Sequence, residues 1–314
     1  MLDNKFYERL EKIYSKEDIK IIKSSFETKK REVSFRINTL KSNKQEIETF
    51  LWENNFKFKK VSFLPDSYIL PEIIEKDIWN TSIYKDWKIY LQSISSQIPS
   101  TLLELKENDR VLDITAAPWS KTTQISALLK NTWEIVACEQ NMIRMEKLKY
   151  NIKKLWCTNI TTFKWDARKL QNFYKKESFD SILADLPCSW EWRINLNNPK
   201  TYSFWNEPNI KRNYLLQKDI IKNTIFLLKP GWVFVYSTCT MSPEENEWIV
   251  HYILSNFKDM ELDDINLEYK YFRPWIKKFD KYVYQNDIIK TIRSIPSEES
   301  EWFFVAKFKK KNYN

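Results

Sequence analysis

Two cysteines stand where a thiol can do chemistry. Cys188 closes the run Asp185-Leu-Pro-Cys and Cys239 follows Ser237-Thr, each just past the C-terminal end of a segment that reads as a strand. Ligands of open α/β sheets bind outside the carboxyl ends of the strands, so both thiols are expected on the ligand side. A thiolate is a strong nucleophile. It adds readily to C6 of a pyrimidine, which makes C5 nucleophilic toward an electrophilic methyl group. Free cysteine titrates near ~8.5, so the attacking thiol needs a positive or hydrogen-bonding neighbourhood; Lys121 is the candidate. Cys138, within a strand, and Cys157, in a turn, lack the acidic-proline setting and read as buried structural thiols. The four cysteines have no CxxC spacing, so neither a zinc site nor a disulfide framework is expected. The one histidine, His251, lies among Ile249, Val250, Ile253 and Leu254 and reads as a helix-surface or core residue. Serine or cysteine catalysis through a histidine base has little to draw on.

A second constellation precedes these. Val111-Leu-Asp-Ile-Thr115 reads as a strand, Ala116-Ala-Pro-Trp-Ser-Lys121 as the loop after it, and a helix follows. The first strand-to-helix turn of a doubly wound sheet wraps the cofactor, and amides at a helix N-terminus suit a carboxylate or phosphate. Glu139 ends the next strand, at the separation where an acidic side chain can take a ribose diol. GxGxxG is absent even with glycine placed at 119, which makes a nicotinamide oxidoreductase a remote alternative. An ordinary βαβ unit without a ligand remains the plain alternative for this pattern.

The elements that must position these residues fall into two parts. From about 108 the chain alternates strand and helix: strands at 110–114, 134–138, 160–163, 179–184 and 233–237, with a helix through Met142, Met145, Leu148, Ile152 and Leu155. This predicts a parallel, doubly wound α/β sheet. A further helix is expected to open at Ser242, with Pro243 at its first position and Glu245 completing a capping box. Segments 288–295 and 302–309 read as antiparallel strands closing one edge. Residues 1–100 read as a smaller α+β part and 101–314 as the main domain, with no long linker between them. Two short helices are expected around Phe6 to Ile13 and Ile19 to Phe26, strands at 33–40 and 56–61, and a helix opened by a Ser42/Gln45 capping box.

Composition bounds the partners. Net charge is +9, which favours a polyanion, because Lys and Arg neutralising phosphates release counterions; a Lys-rich composition produces the same excess without any such partner. No apolar run reaches a membrane span and no signal-peptide core opens the chain. The expectation is a monomeric cytoplasmic protein with no membrane partner.

Glycine and tryptophan are the anomaly. The chain has 1 Gly and 14 Trp in 314 residues, where average composition predicts roughly 22 glycines. Trp119, Trp156 and Trp190 stand where backbone chemistry asks for a residue without Cβ. Our reading is that many tryptophans occupy glycine sites, as they would if UGA codons meaning glycine were translated as tryptophan. Trp205 has no such logic. A protein made literally from this sequence is expected to bind its cofactor poorly, because Trp119 and Trp190 crowd the pocket.

Together these residues resemble the NOL1/NOP2/Sun (RsmB/NOP2-type) family of S-adenosylmethionine-dependent RNA cytosine-5 methyltransferases, from about Ser34 to Lys309. The densest matches are 34–40, 89–96, 115–123, 185–189, 228–231, 236–240 and 243–246, and the family usually has glycine where this chain has Trp119, Trp133, Trp190, Trp192, Trp232 and Trp302. The resemblance implies a Rossmann-like methyltransferase sheet preceded by a small RNA-recognition domain. It implies that Thr115, Ala116, Ala117, Pro118, Trp119, Ser120 and Lys121 enclose the methionine part of S-adenosyl-L-methionine. Glu139 would then hold the ribose and Asp166 the adenine side, while Asp185 borders both cofactor and target cytosine. Cys239 is implied as the nucleophile, Cys188 as assisting product release, and Lys121 as touching the base or Asp185. Arg36 and the basic strand near Lys57 are candidates for phosphate contacts, with a solvated surface as the alternative. Ribosomal RNA is the favoured substrate and tRNA the next. The C-terminal RNA-binding domains of longer members are not expected. Two rivals stay open: a DNA cytosine-5 methyltransferase using Cys188, and a non-catalytic RNA-binding or assembly factor that keeps the fold.

Overall fold

A computed structural model describes residues 2–28, 31–116, 120–274, 276, 278–279, 282–284 and 289–312. The chain opens with helices α1 (Asn4–Ile13) and α2 (Lys16–Glu27), capped by the side chains of Asp3 and Ser15. Strand β1 (Val33–Ile37), helix α3 (Lys44–Glu53), strands β2 (Lys59–Lys60) and β3 (Ser67–Leu70), short helices α4 (Glu75–Trp79) and α5 (Ser82–Lys85) and strand β4 (Ile89–Leu91) follow. The four strands form one antiparallel sheet in the order β2-β3-β1-β4. Phe35, Ile37, Ile47, Leu51, Tyr68 and Leu70 fill its core. Helices α1 and α2 do not join that core. Their apolar stripe, Phe6, Leu10, Ile22 and Phe26, buries instead against Trp205, Ile210, Met241 and Trp302 of the larger body.

Helix α6 (Ile94–Thr101) leads into the main sheet. Its strands are β5 (Val111–Asp113), β6 (Ile135–Cys138), β7 (Ile160–Phe163), β8 (Phe179–Asp185) and β9 (Leu228–Thr238), joined through α7 (Ser120–Leu128), α8 (Met142–Lys154) and α9 (Glu207–Thr224). After α10 (Glu247–Asn256) come β10 (Met260–Leu262), β11 (Phe272–Pro274), the antiparallel pair β12 (Lys278–Phe279) and β13 (Tyr282–Val283), β14 (Ile292–Ser294) and β15 (Phe303–Lys310). The order is β11-β14-β15-β9-β8-β5-β6-β7, with β10 also on β15. Strands β7, β6, β5, β8 and β9 run parallel, and β15, β14, β11 and β10 are antiparallel. The sheet is therefore mixed, a doubly wound parallel core with an antiparallel flank. Strict alternation explains its two covered faces: Phe234, Tyr236, Phe304, Ala306 and Phe308 enter one core, and Val233, Val235, Phe303 and Val305 the other. No helix among the described residues is long and apolar enough to cross a membrane.

Three local expectations are corrected. Helix α3 is capped by Asn43, whose side chain accepts from the Glu46 amide; Ser42 donates to the Glu46 carboxylate at 2.6 Å. The strand expected over 56–61 shrinks to Lys59–Lys60 at the sheet edge. Pro243–Glu245 form a 3-10 turn with no cap from Ser242, and α10 begins at Glu247, because the Glu245 side chain turns inward instead of back to the helix start.

Candidate active site

The order reverses at β5: β6 and β7 extend to one side, β8 and β9 to the other. Such a switch point opens a crevice at the carboxyl ends of the strands. Thr115, just past β5, donates its hydroxyl to the Asp185 carbonyl at 2.8 Å, and the Ala116 amide donates to the Cys138 carbonyl at 2.9 Å. The loop is thus stapled to both neighbouring strands. Ala117, Pro118 and Trp119 lie outside the described residues, and Ser120 opens α7.

Parallel neighbours lie about 4.8 Å apart, and Asp185 of β8 is in register with Ser237 of β9. That register brings the two motifs together. Ser237 Oγ donates to Asp185 Oδ1 at 2.7 Å, and the thiols of Cys188 and Cys239 stand 2.9 Å apart. Lys121, in the first turn of α7, places Nζ 2.7 Å from Asp185 Oδ2 and donates to Ser96 Oγ at 3.0 Å. Lys121, Asp185, Cys188 and Cys239 therefore share one mouth.

Environment separates the two thiols. Cys188 is buried and Cys239 only half-buried. Burial, with the Cys239 sulfur beside it, pushes the Cys188 thiol well above its ordinary range. Cys188 thus stays protonated and can donate S–H toward a Cys239 thiolate. Behind them, Glu245 Oε2 accepts from the Ser189 amide and from Gln217 Nε2, both at 3.0 Å. Burial, then Cys188, drives this carboxyl well above its usual range. At the β5 end, burial raises the Asp113 carboxyl to about 7, against the hydrogen bond from Thr122 Oγ1.

Two acids sit further along the crevice. Glu139, at the end of β6, is buried and accepts the Asn141 amide at 2.7 Å, with Arg144 at 3.6 Å. Asp166, after β7, is gripped by Arg168, whose Nη2 lies 2.6 Å from Oδ2, and this holds its carboxyl below the usual range.

One phosphate candidate, Arg36, turns inward, while the basic strand near Lys57 stays on the surface. Arg36 is 3% exposed; it donates to Gln92 Oε1 at 2.8 Å, Thr123 Oγ1 at 2.9 Å and the Ser120 carbonyl at 3.3 Å. It clamps the start of α7 from β1, and burial lowers its guanidinium to about 10. Lys57, Lys59 and Lys60 are each paired with a carboxylate, of Glu72, of Glu32 and Glu299, and of Glu48 respectively. Missed by sequence reasoning were the Arg36 clamp, the serines 96 and 237 that orient Lys121 and Asp185, and the buried Glu245. All four lie within the segments that resemble the family, but their local sequence does not show which partners their side chains meet.

Comparison with known proteins decides the family. The family described as 16S rRNA methyltransferase RsmB/F matches residues 100–309. The chain belongs to the RsmB/F methyltransferase family. Its relatives include ribosomal RNA small subunit methyltransferase F of Aliivibrio fischeri, 32% identical over 282 residues, covering 88% of this chain and 57% of that protein. The Vibrio vulnificus counterpart is 34% identical over 229 residues, covering 72% and 48%. The chain thus spans about half the length of the RsmB/F relatives it matches. A methyltransferase homolog from Pyrococcus horikoshii superimposes with a TM-score of 0.85 at 29% identity, over 98% of this chain and 95% of that one. NSun6 from the same organism, solved with SFG, shares the fold at a TM-score of 0.79, 22% identity and 99% coverage of both chains.

Proposed function

We propose that this RsmB/F chain is the catalytic body of a ribosomal RNA cytosine-5 methyltransferase, with Cys239 as the nucleophile. The observation that carries the reading is the pair of thiols 2.9 Å apart in the mouth closed by Lys121 and Asp185, with Cys239 the accessible one. The donor set fits S-adenosylmethionine: Glu139 and Asp166 offer carboxylate acceptors over β6 and β7, and the α7 N-terminus faces the loop after β5. That arrangement suits ribose hydroxyls, an adenine amino group and an α-carboxylate. When bound, S-adenosylmethionine supplies the electrophilic methyl group.

The chain's own residues supply the rest. The target cytosine must leave its stack to reach the mouth, at roughly a few kcal/mol. Asp185, fixed by Ser237 and Lys121, hydrogen-bonds the base edge. The Cys239 thiolate adds to C6, C5 takes the methyl group, and loss of the C5 proton to water re-forms the C5–C6 double bond and expels the Cys239 thiolate, which Cys188, protonated beside it, steadies. A Cys188 nucleophile is disfavoured by its burial.

The test is labelled methyl transfer to 16S rRNA. Cys239→Ala should lose transfer by at least about 10³-fold. Cys188→Ala should still methylate but accumulate a protein–RNA adduct on denaturing gels. The reverse pattern would transfer the nucleophile's role to Cys188. Bisulfite sequencing of ribosomal and transfer RNA, with and without the gene, identifies the cytosine.

A further inference from the structure

The turn that follows Cys188 carries a carboxylate to which the steps above assign no role. Glu191 is 1% exposed and has no cation in salt-bridge contact among the described residues. Its oxygens accept four hydrogen bonds instead. Trp205 Nε1 and Ser242 Oγ donate to Oε1 at 2.7 and 2.9 Å; Thr240 Oγ1 and the Met241 amide donate to Oε2 at 2.5 and 2.8 Å. Three of these donors are the three residues directly after Cys239. The same turn reaches Cys239 itself, for the Trp192 amide donates to its carbonyl at 3.2 Å. Ser189 and Thr240 add a rung, their hydroxyls 2.7 Å apart.

We propose that Glu191 is a positioning residue, whose carboxylate sets the Cys239 segment against the Cys188 turn so that the nucleophile faces the Lys121–Asp185 mouth. The proposal rests on Cys239 being the nucleophile. The segment needs such a hold, because between β9 and the α-helix at Glu247 it forms only the short 3-10 turn Pro243–Glu245. Asn246 grips it from the opposite side, through the Thr240 carbonyl at 2.9 Å and Thr238 Oγ1 at 2.5 Å.

The donor pattern demands a carboxylate. At each oxygen one partner is an N–H that can only donate: the Trp205 indole at Oε1 and the Met241 amide at Oε2. A carboxamide carries one oxygen and one NH2. Whichever way Glu191→Gln is turned, one N–H meets another N–H, and that side of the clamp opens. Trp205 thus has a use for its indole N–H that a smaller residue could not fill.

The experiment pairs steady-state kinetics with adduct trapping on 16S rRNA transcribed with 5-fluorocytidine, whose C5 fluorine blocks elimination. For Glu191→Gln, kcat is expected to fall about 100-fold, the scale of an ångström-level misplacement. KM for S-adenosylmethionine and for RNA should stay within about threefold, and adduct formation should slow in proportion to kcat. Ser242→Ala, which removes one donor and leaves the carboxylate, provides a second variant should Glu191→Gln not fold; its adduct rate is expected to fall about tenfold with an unchanged melting temperature. A wild-type adduct rate in either folded variant, or a loss confined to KM, overturns the positioning role alone. A parent protein carrying Trp119→Gly and Trp190→Gly that forms no adduct overturns the functional reading and this role with it.

Discussion

Cys188 and Cys239 carry the same functional group 2.9 Å apart, and it is chiefly burial that makes them chemically unequal. The thiolate is the reactive form, and Cys188 is held protonated by burial. Iodoacetamide at pH 8 should therefore modify Cys239 at least about tenfold faster than Cys188; peptide mapping against time reads this, and equal rates would contradict the assigned roles. Asp113 makes a pH argument. Its carboxyl is raised from 3.8 to about 7 by burial, so the folded state binds its proton more tightly than the unfolded chain. Stability tied to this group is fully present below about pH 4 and is lost as pH rises through about 7. The loss is on the order of 4 kcal/mol. Asn is compatible with the site, since Thr122 Oγ1 can accept from it and donate to the Ala116 carbonyl, now 3.3 Å away. Asp113→Asn should narrow the gap between urea midpoints measured at pH 5 and pH 8, and an unchanged gap would place the titration elsewhere.

Among the elements, helix ends show what the missing glycines mean. Trp156 follows α8 at φ 63°. Its amide donates to the Lys153 carbonyl and the Cys157 amide to that of Ile152, at 3.3 and 3.0 Å. That is the Schellman pattern, whose left-handed residue is usually glycine. Trp87, Trp133 and Trp190 have φ of 59°, 61° and 57°, a conformation that costs a residue with Cβ roughly 1–2 kcal/mol. Trp156 and Trp190 are 60% and 45% exposed, so their indoles gain little burial in return. Trp156→Gly and Trp190→Gly should each stabilise the protein by about 1 kcal/mol, read by denaturant titration, and their codons are expected to be UGA. UGG at these positions would mean that tryptophan belongs there. Elements also absorbed the basic runs. Lys310 is buried, donates to the Leu228 carbonyl at 2.8 Å and pairs with Glu177, so part of the positive charge belongs to packing.

The whole molecule is tied together at Arg293 of β14. Fully buried, it pairs through Nε and Nη2 with Glu247 of α10, and its Nη1 donates to Tyr14 Oη at 2.9 Å and to the Met241 carbonyl at 2.8 Å. One guanidinium thus joins the end of α1, the antiparallel flank, α10 and the segment after Cys239. Removing one member of a buried pair leaves an uncompensated charge, at about 3–5 kcal/mol. Glu247→Gln should lower unfolding stability by that amount in a urea titration, and a change below about 1 kcal/mol would show the pair to be replaceable.

Period-two alternation in β9 and β15, the 3.6-residue spacing of α8 and the turn chemistry beside Asp185, Cys188 and Cys239 are local properties, so the chain alone specified a doubly wound core and put both thiols at strand ends. The segments at Phe56–Val61 and Ser242–Glu245 were misread for the complementary reason: edge pairing and an inward-turned glutamate depend on neighbours distant in sequence. Only the tertiary structure set β9 beside β8, and with it the spacing of the two sulfurs. It also decided which thiol is covered, sent Arg36 inward to α7 and closed four donors on Glu191. Strand adjacency and burial come from contacts between segments scores of residues apart, and no local pattern encodes which of several compatible partners a side chain will meet.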